Sequence, residues 1–273
     1  MLRELLTLLR DRWAGVAGWY GHDREAARIA ARHRRCHSAW RPHLEAVKAL
    51  VLEAADAAPA RGTAVILGSG PCLDVPVAEL CDRFRQVVLV DAHHPRPARA
   101  LAGKHANLRL VAADVTGMGH AARKAARAKA RLPHPVPVPD PLPGIEPDFT
   151  ASLNLASQLP IPFYKTLGGR VDEEELERFC RGLIEAHFSW MEGLPGRTCL
   201  VCDTAWERVS GDRLLETCDA LEGIIPPPPD REWTWDIAPR PEESFSYDRR
   251  NRVWGYLDFG AARRAASSRR PEE

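Results

Sequence analysis

The sequence lacks a charge excess of either sign. Its 38 Lys and Arg stand against 37 Asp and Glu, leaving +1 over 273 residues with His neutral. Such a balance excludes recognition driven by the overall field of the protein, so a nucleic-acid partner has no support from net charge. Long hydrophobic runs are also missing. Nothing approaches the roughly 18 apolar residues of a membrane helix, so no membrane partner is expected. The N-terminal stretch Met1–Arg10 is apolar on one side, carries Glu4 and has no small-residue cleavage site. It reads as an amphipathic helix rather than an export signal. The seven cysteines are scattered and odd in number, a poor basis for a disulfide framework. Reduced thiols in a cytoplasmic protein are the simplest expectation. No internal repeat is found.

What is present is a change of pattern near residue 60. Residues 1–60 look all-helical. Asp23 is a candidate N-cap for a long helix from Glu25 to Arg41, Pro42 marks a boundary, and helical spacing resumes from Leu44 to Ala57. From Thr63 onward, apolar runs alternate with helical segments, the pattern of a parallel sheet covered by helices. Strands are expected near 63–67, 86–91, 108–113, 148–154 and 198–203, and helices near 76–84, 95–103, 118–131 and 172–192. The prolines between Arg131 and Pro147 impose an extended surface connection. Two aromatic segments, Trp233–Ile237 and Arg252–Phe259, read as an antiparallel pair closing one edge of the sheet. These patterns predict a helical cap over 1–60, a doubly wound α/β domain over 61–260 and a disordered tail over 261–273.

The chemistry concentrates at the ends of the first three strands. The run Ala64–Leu67 ends in Gly68-Ser69-Gly70. Gly68 sits where the chain must turn sharply, and Gly70 lets backbone approach a ligand closely. The second run ends in Asp91, roughly 20 residues after the glycine turn, where an acid can accept from both ribose hydroxyls. Capping of the next helix is the competing use of Asp91. A nicotinamide dinucleotide site would want a third glycine at Leu73 to fit a pyrophosphate. The chain instead offers a second acid, Asp114, after the third strand, with Val115 beside it. Two acids without a phosphate cradle suit an adenosine without phosphates.

On these residues the segment from Thr63 to about Phe259 resembles the class I (Rossmann-like) S-adenosylmethionine-dependent methyltransferase superfamily. The resemblance implies a mostly parallel seven-stranded sheet with an antiparallel C-terminal strand, and S-adenosyl-L-methionine as cofactor. It places Gly68, Ser69 and Gly70 along the methionine end of the cofactor, Asp91 and Ala92 at the ribose, and Asp114 and Val115 at the adenine. It also places Asp148–Leu155 on the fourth-strand motif that faces the transferable methyl group. The chain departs from the family pattern in two positions: Ile66 stands where an acid is usual, and Cys72 where a third glycine is usual.

Asn154 and Gln158 lie where strand four leaves the sheet. Their amides can orient an acceptor nitrogen or oxygen; the competing use is local capping by Asn154 and Ser157. No Asn-Pro-Pro-Tyr-type run occurs there. On the N-terminal helix, His33 and His37 share one face, while Cys36, Trp40 and His43 share another. Two ligands without a third make no metal site, and Trp40 with its neighbours is expected to pack the helices onto the sheet, some of them lining the acceptor pocket. His93 and His94 are expected to cover the adenosine edge. Cys199 and Cys202 have odd spacing in a strand, so they should point to opposite faces. The basic residues of 123–131 and of 24–35 read as solvated helix faces. They would favour an RNA acceptor only if both faced one groove.

The expected activity is methyl transfer to a small molecule. The competing readings are a non-catalytic binding or scaffold protein on the same fold, and transfer of another group of the same cofactor.

Overall fold

The computed structural model describes residues 22–268; the Met1–Arg10 expectation lies outside them. Two helices come first, α1 (His22–Arg35) and α2 (His37–Asp56). They abut at Cys36 rather than at Pro42, which lies inside α2. The uninterrupted helix expected from Glu25 to Arg41 is thereby corrected. Pro42 stands in the second turn of α2, and the break between the helices falls six residues before it.

The sheet follows, as β1 (Thr63–Leu67), β2 (Gln86–Asp91), β3 (Leu108–Ala112), β4 (Phe149–Leu153), β5 (Arg197–Ser210), β6 (Arg213–Asp219), β7 (Arg231–Ala238) and β8 (Asp248–Tyr256). Its order is β3-β2-β1-β4-β5-β8-β7, with β6 pairing to β5 off this path. The first five strands are mutually parallel, and β8 runs antiparallel to both β5 and β7. The fold is therefore the doubly wound, mostly parallel α/β sheet with an antiparallel C-terminal strand that the sequence pattern predicts. It has eight strands rather than seven, because β5 runs past residue 203 and turns back as β6.

Both faces are buried, as continuous apolar strands require. Ala64 and Ile66 of β1 join Val47, Leu50 and Val51 of α2 in one core, while Val65 and Leu67 join Val88, Val90 and Val111 in another. Cys199 and Cys202 follow the same alternation. The first belongs to the α2 side and the second to the side of Phe188 and Tyr256, and every described cysteine is a free thiol.

The crossovers are α3 (Val77–Arg83), α4 (Arg96–Ala102) and α5 (Gly119–Arg127) between the early strands, then α6 (Ile161–Leu167) and α7 (Glu173–Gly193) between β4 and β5. The helix expected over 118–131 thus stops at Arg127, where the proline-rich connection takes over without regular structure. A last helix, α8 (Phe259–Ser267), replaces the disorder expected from Ala261. Asp258 caps it by accepting from the Ala261 amide, and Arg263 pairs with Glu192 of α7. These contacts with α7 are what a reading of composition alone overlooks.

Candidate functional site

One large crevice, about 1010 Å³, opens at the carboxyl ends of the parallel strands. That lies at the upper end of the roughly 300–1,000 Å³ typical of ligand sites, so there is room for a cofactor and a second molecule. Gly68, Ser69, Gly70, Asp91, Ala92, Asp114, Val115, Asn154 and Gln158 all line it. The structure therefore gathers every expected site residue in one place, from strands β1 to β4.

Their individual geometry differs from a simple carry-over. Gly68 has φ +73°, and a Cβ there would lie 2.7 Å from the Leu153 carbonyl oxygen. Gly70 has φ +44° with nothing within 4 Å of such a Cβ. The first glycine is thus required by packing, whereas the second leaves open space. Ser69 is buried and its Oγ has no partner. Cys72, at the position of the missing third glycine, adopts φ +58°, so the turn keeps a glycine-like backbone without the glycine. Burial, with Asp74 and Asp91 nearby, pushes its thiol up to about 12; it is no nucleophile.

Asp91 ties the turn to the second strand. Its Oδ2 accepts from the Gly70 amide at 2.8 Å and its Oδ1 from the His93 amide at 3.2 Å. Two carboxylate oxygens offer about four acceptor sites, so lone pairs remain for a ligand. Asp114 is more committed. It accepts from the Thr116 amide at 3.0 Å, the Thr116 hydroxyl at 2.5 Å and the Gly119 amide at 2.9 Å. Its main work is to order the start of α5, and one acceptor site is left. His93 borders the crevice, but His94 is buried with Nε2 on the Val111 carbonyl at 2.9 Å. Ile66 is fully buried in the core. An acid nevertheless enters the crevice from Asp74.

The two amides expected to orient an acceptor are partly spent. Gln158 Nε2 donates to the Asn154 carbonyl at 2.6 Å. Asn154, at φ +50°, donates from Nδ2 to Asp74 at 2.9 Å, and its Oδ1 is buried without a partner. His43 lies beside it. The Trp233 indole donates to His43 Nδ1 at 3.0 Å, and desolvation lowers the imidazole to about 3. His43 is therefore neutral, and its Nε2 lies 3.4 Å from Asn154 Nδ2.

The opposite wall was not foreseen. Trp206, Asn251 and Trp235 are register partners across β5, β8 and β7, so they form one rung on the same sheet face. The register slips between Asp203 and Ala205. Residues 203 and 206 have odd spacing and would face opposite ways in a regular strand. The bulge turns both into the crevice. His43 stacks on Trp235 with centroids 4.0 Å apart, and Trp40 meets the same ring edge-on at 5.0 Å.

Asp203 is the perturbed carboxyl of this wall. Burial pushes its carboxyl up to about 6, against Asn251, Ser157 and the Arg249 guanidinium, which favour the anion. Ser157 Oγ donates to its Oδ2 at 3.3 Å, while Oδ1 is buried and unpartnered. With the folded value above the unfolded one, the protonated form favours folding. That contribution is complete below about pH 4 and is lost as pH rises through 6. Asp203→Asn is therefore expected to stabilise the fold at pH 8 by up to about 3 kcal/mol, with the gain shrinking below pH 6. Urea melts at pH 5 and pH 8 check this. A gain equal at both values refutes it.

Arg28, Arg32 and Arg35, spaced along one face of α1, border the same space. The 24–35 segment is thus not wholly a solvated face. Arg32 pairs with Glu242 and Glu243 and Arg35 with Glu242, on the loop joining β7 to β8. None of the basic residues of α5 lines the crevice, so the two basic stretches do not form one groove there. His33 and His37 meet edge-on at 5.3 Å, and His33 also contacts Trp40. Among the described residues there is no group of three metal-ligating side chains.

No family model and no curated protein matches the chain. Solved structures do. The N-methyltransferase NodS from Bradyrhizobium japonicum WM9, in complex with S-adenosyl-L-homocysteine, is 10% identical over 79% of this chain and 86% of its own, with TM-score 0.39. The 1,6-didemethyltoxoflavin-N1-methyltransferase of Burkholderia thailandensis is 14% identical over 86% and 90%, at 0.34. The 23S rRNA methyltransferase ErmE is 16% identical over 80% and 73%, at 0.29. Likenesses this distant decide neither ligand nor reaction; the residues of the crevice must.

Proposed function

We propose that the chain is an S-adenosyl-L-methionine-dependent methyltransferase acting on a small molecule. The observation that carries this reading is the glycine turn of Gly68-Ser69-Gly70 held to Asp91 through the Gly70 amide. This turn lies at the mouth of a crevice large enough for two ligands. The residues fit the cofactor: Asp91 has free lone pairs for ribose hydroxyls, Gly70 leaves room beside the backbone, and Ser69 Oγ is an unpartnered buried group at the turn. Ala92 and Val115 supply apolar surface for the ring, and Asp114 keeps one acceptor site for its amine. Asn154 and Gln158 border the region between this half and the acceptor wall and are positioned to orient an acceptor.

When bound, the cofactor supplies an electrophilic methyl group on a sulfonium. The protein's own contribution is then alignment and exclusion of water. Trp40, Trp235 and Trp206 wall the acceptor side, and Arg32 and Arg35 of α1 border it under restraint from Glu242 and Glu243. A small acceptor follows from this enclosure. Calorimetry with S-adenosyl-L-homocysteine is expected to show one site per chain. Absence of binding at millimolar ligand would remove the cofactor reading. Binding without transfer of any labelled methyl group would leave a non-catalytic binding protein, and transfer of another group of the cofactor would appear in the product mass.

A further inference from the structure

We propose, building on the methyltransferase reading, that the acceptor is an amine whose nitrogen sits between Asp203 and Asn251, and that Asp203 takes its proton. Both side chains are more than nine-tenths buried and line the crevice. Each carries an oxygen with no hydrogen-bond partner, Asp203 Oδ1 and Asn251 Oδ1. Ser157 Oγ already donates to the other carboxylate oxygen of Asp203, Oδ2, at 3.3 Å, so Oδ1 is the part left over. Buried acceptors without partners are costly, and a ligand that satisfies them is selected for its donors. A hydroxyl brings one hydrogen and satisfies one of the two oxygens, whereas an amine nitrogen brings two or more. Asn154 Oδ1, a third buried and unpartnered acceptor on the same crevice, points to the same donor-rich ligand.

Two donors are also unpartnered there, Trp235 Nε1 and Arg249 Nε. Trp235 stands opposite Asn251 on β7 and Arg249 two residues before it on β8, and they call for an oxygen elsewhere on the acceptor. The class is thus an amine that also carries a carbonyl, carboxylate or hydroxyl oxygen. In the transfer, a nitrogen–carbon bond forms as the carbon–sulfur bond of the sulfonium breaks, with the bonding pair left on sulfur. The methylated nitrogen becomes cationic and loses its proton to the Asp203 carboxylate, which passes it on to water.

Two measurements test this. The first is binding to the protein saturated with S-adenosyl-L-homocysteine, followed by the fluorescence of the lining tryptophans. The probes are matched pairs that differ in amine against hydroxyl: phenylalanine and 3-phenyllactate, glucosamine and glucose, phenethylamine and 2-phenylethanol. The amine member is expected to bind at least ~10-fold tighter, and Asp203→Asn is expected to erase the difference. Equal binding, a preference for the alcohol, or no binding by any pair at about 10 mM overturns the proposal. The second uses ¹³C-methyl-labelled cofactor with a small-molecule extract of the natural host cell. The label is expected on nitrogen by ¹³C chemical shift, and to fall at least ~100-fold with Asp203→Asn. Label on oxygen or carbon, or no product while S-adenosyl-L-homocysteine still binds, overturns the amine assignment and leaves the cofactor reading standing. Failure to bind S-adenosyl-L-homocysteine defeats that reading instead.

Discussion

Asp91→Ala is expected to weaken S-adenosyl-L-homocysteine binding by about 100-fold, the equivalent of ~2.7 kcal/mol. Two charge-assisted hydrogen bonds to ribose hydroxyls, each about 1.5–3 kcal/mol, are lost, and neighbouring water recovers part of that. A second loss adds to it. The same carboxylate holds the Gly70 amide at 2.8 Å and the His93 amide at 3.2 Å, so its removal frees the glycine turn as well as the ligand. Asp91→Asn separates the two effects. It keeps one acceptor oxygen and should retain the turn while losing roughly a factor of ten in affinity. Calorimetry at constant pH gives both numbers. If both variants bind like the parent, Asp91 is only a local cap and the ribose lies elsewhere.

Gly68→Ala is expected to cost about 3 kcal/mol of stability, or to prevent folding, while Gly70→Ala costs about 1. The neighbouring glycines differ for a reason the coordinates make plain. At Gly68 an added methyl meets the Leu153 carbonyl oxygen at 2.7 Å and Leu155 Cβ at 3.1 Å, on top of a φ of +73°. Backbone of the adjacent strand is the obstacle, so nothing cheap can move. At Gly70 the only penalty is the positive φ, because the methyl points into free space. Gly70→Ala should therefore give a folded protein with impaired cofactor binding. Urea denaturation and calorimetry on the pair show the split. Similar stability losses at both positions would refute the packing argument.

The cofactor half of the crevice was legible because its information is local. A buried parallel strand is an unbroken apolar run, and the residues just past its end are the ligand positions. Thr63–Leu67 and Gln86–Asp91 are where the pattern puts them. The acceptor half was not legible, because its information is relational. Asp203 and Trp206 share a face only through a register slip against β8, and nothing in Asp203-Thr204-Ala205-Trp206 announces it. The returning strand β6 also gave no signal. Leu214 and Leu215 are adjacent and both exposed, so the period-two alternation of a half-buried strand is absent. The α8 helix was hidden by the arginines and serines of the tail it begins, from Arg263 to Arg270. Its order comes from the Asp258 cap and from Glu192, far away in sequence. Asp114 shows the reverse: its position was read correctly, but its carboxylate is largely occupied by Thr116 and Gly119.

The slip between Asp203 and Ala205 makes the shape of this wall depend on strand register as well as on side-chain size. Substitution along the rung can only trim or enlarge the chamber, one side chain at a time. Losing one residue at the bulge would leave Asp203 and Trp206 two apart and still on one face, whereas unbulged pairing of the intact strand would set Ala205 opposite Asn251 and turn Trp206 away from the crevice.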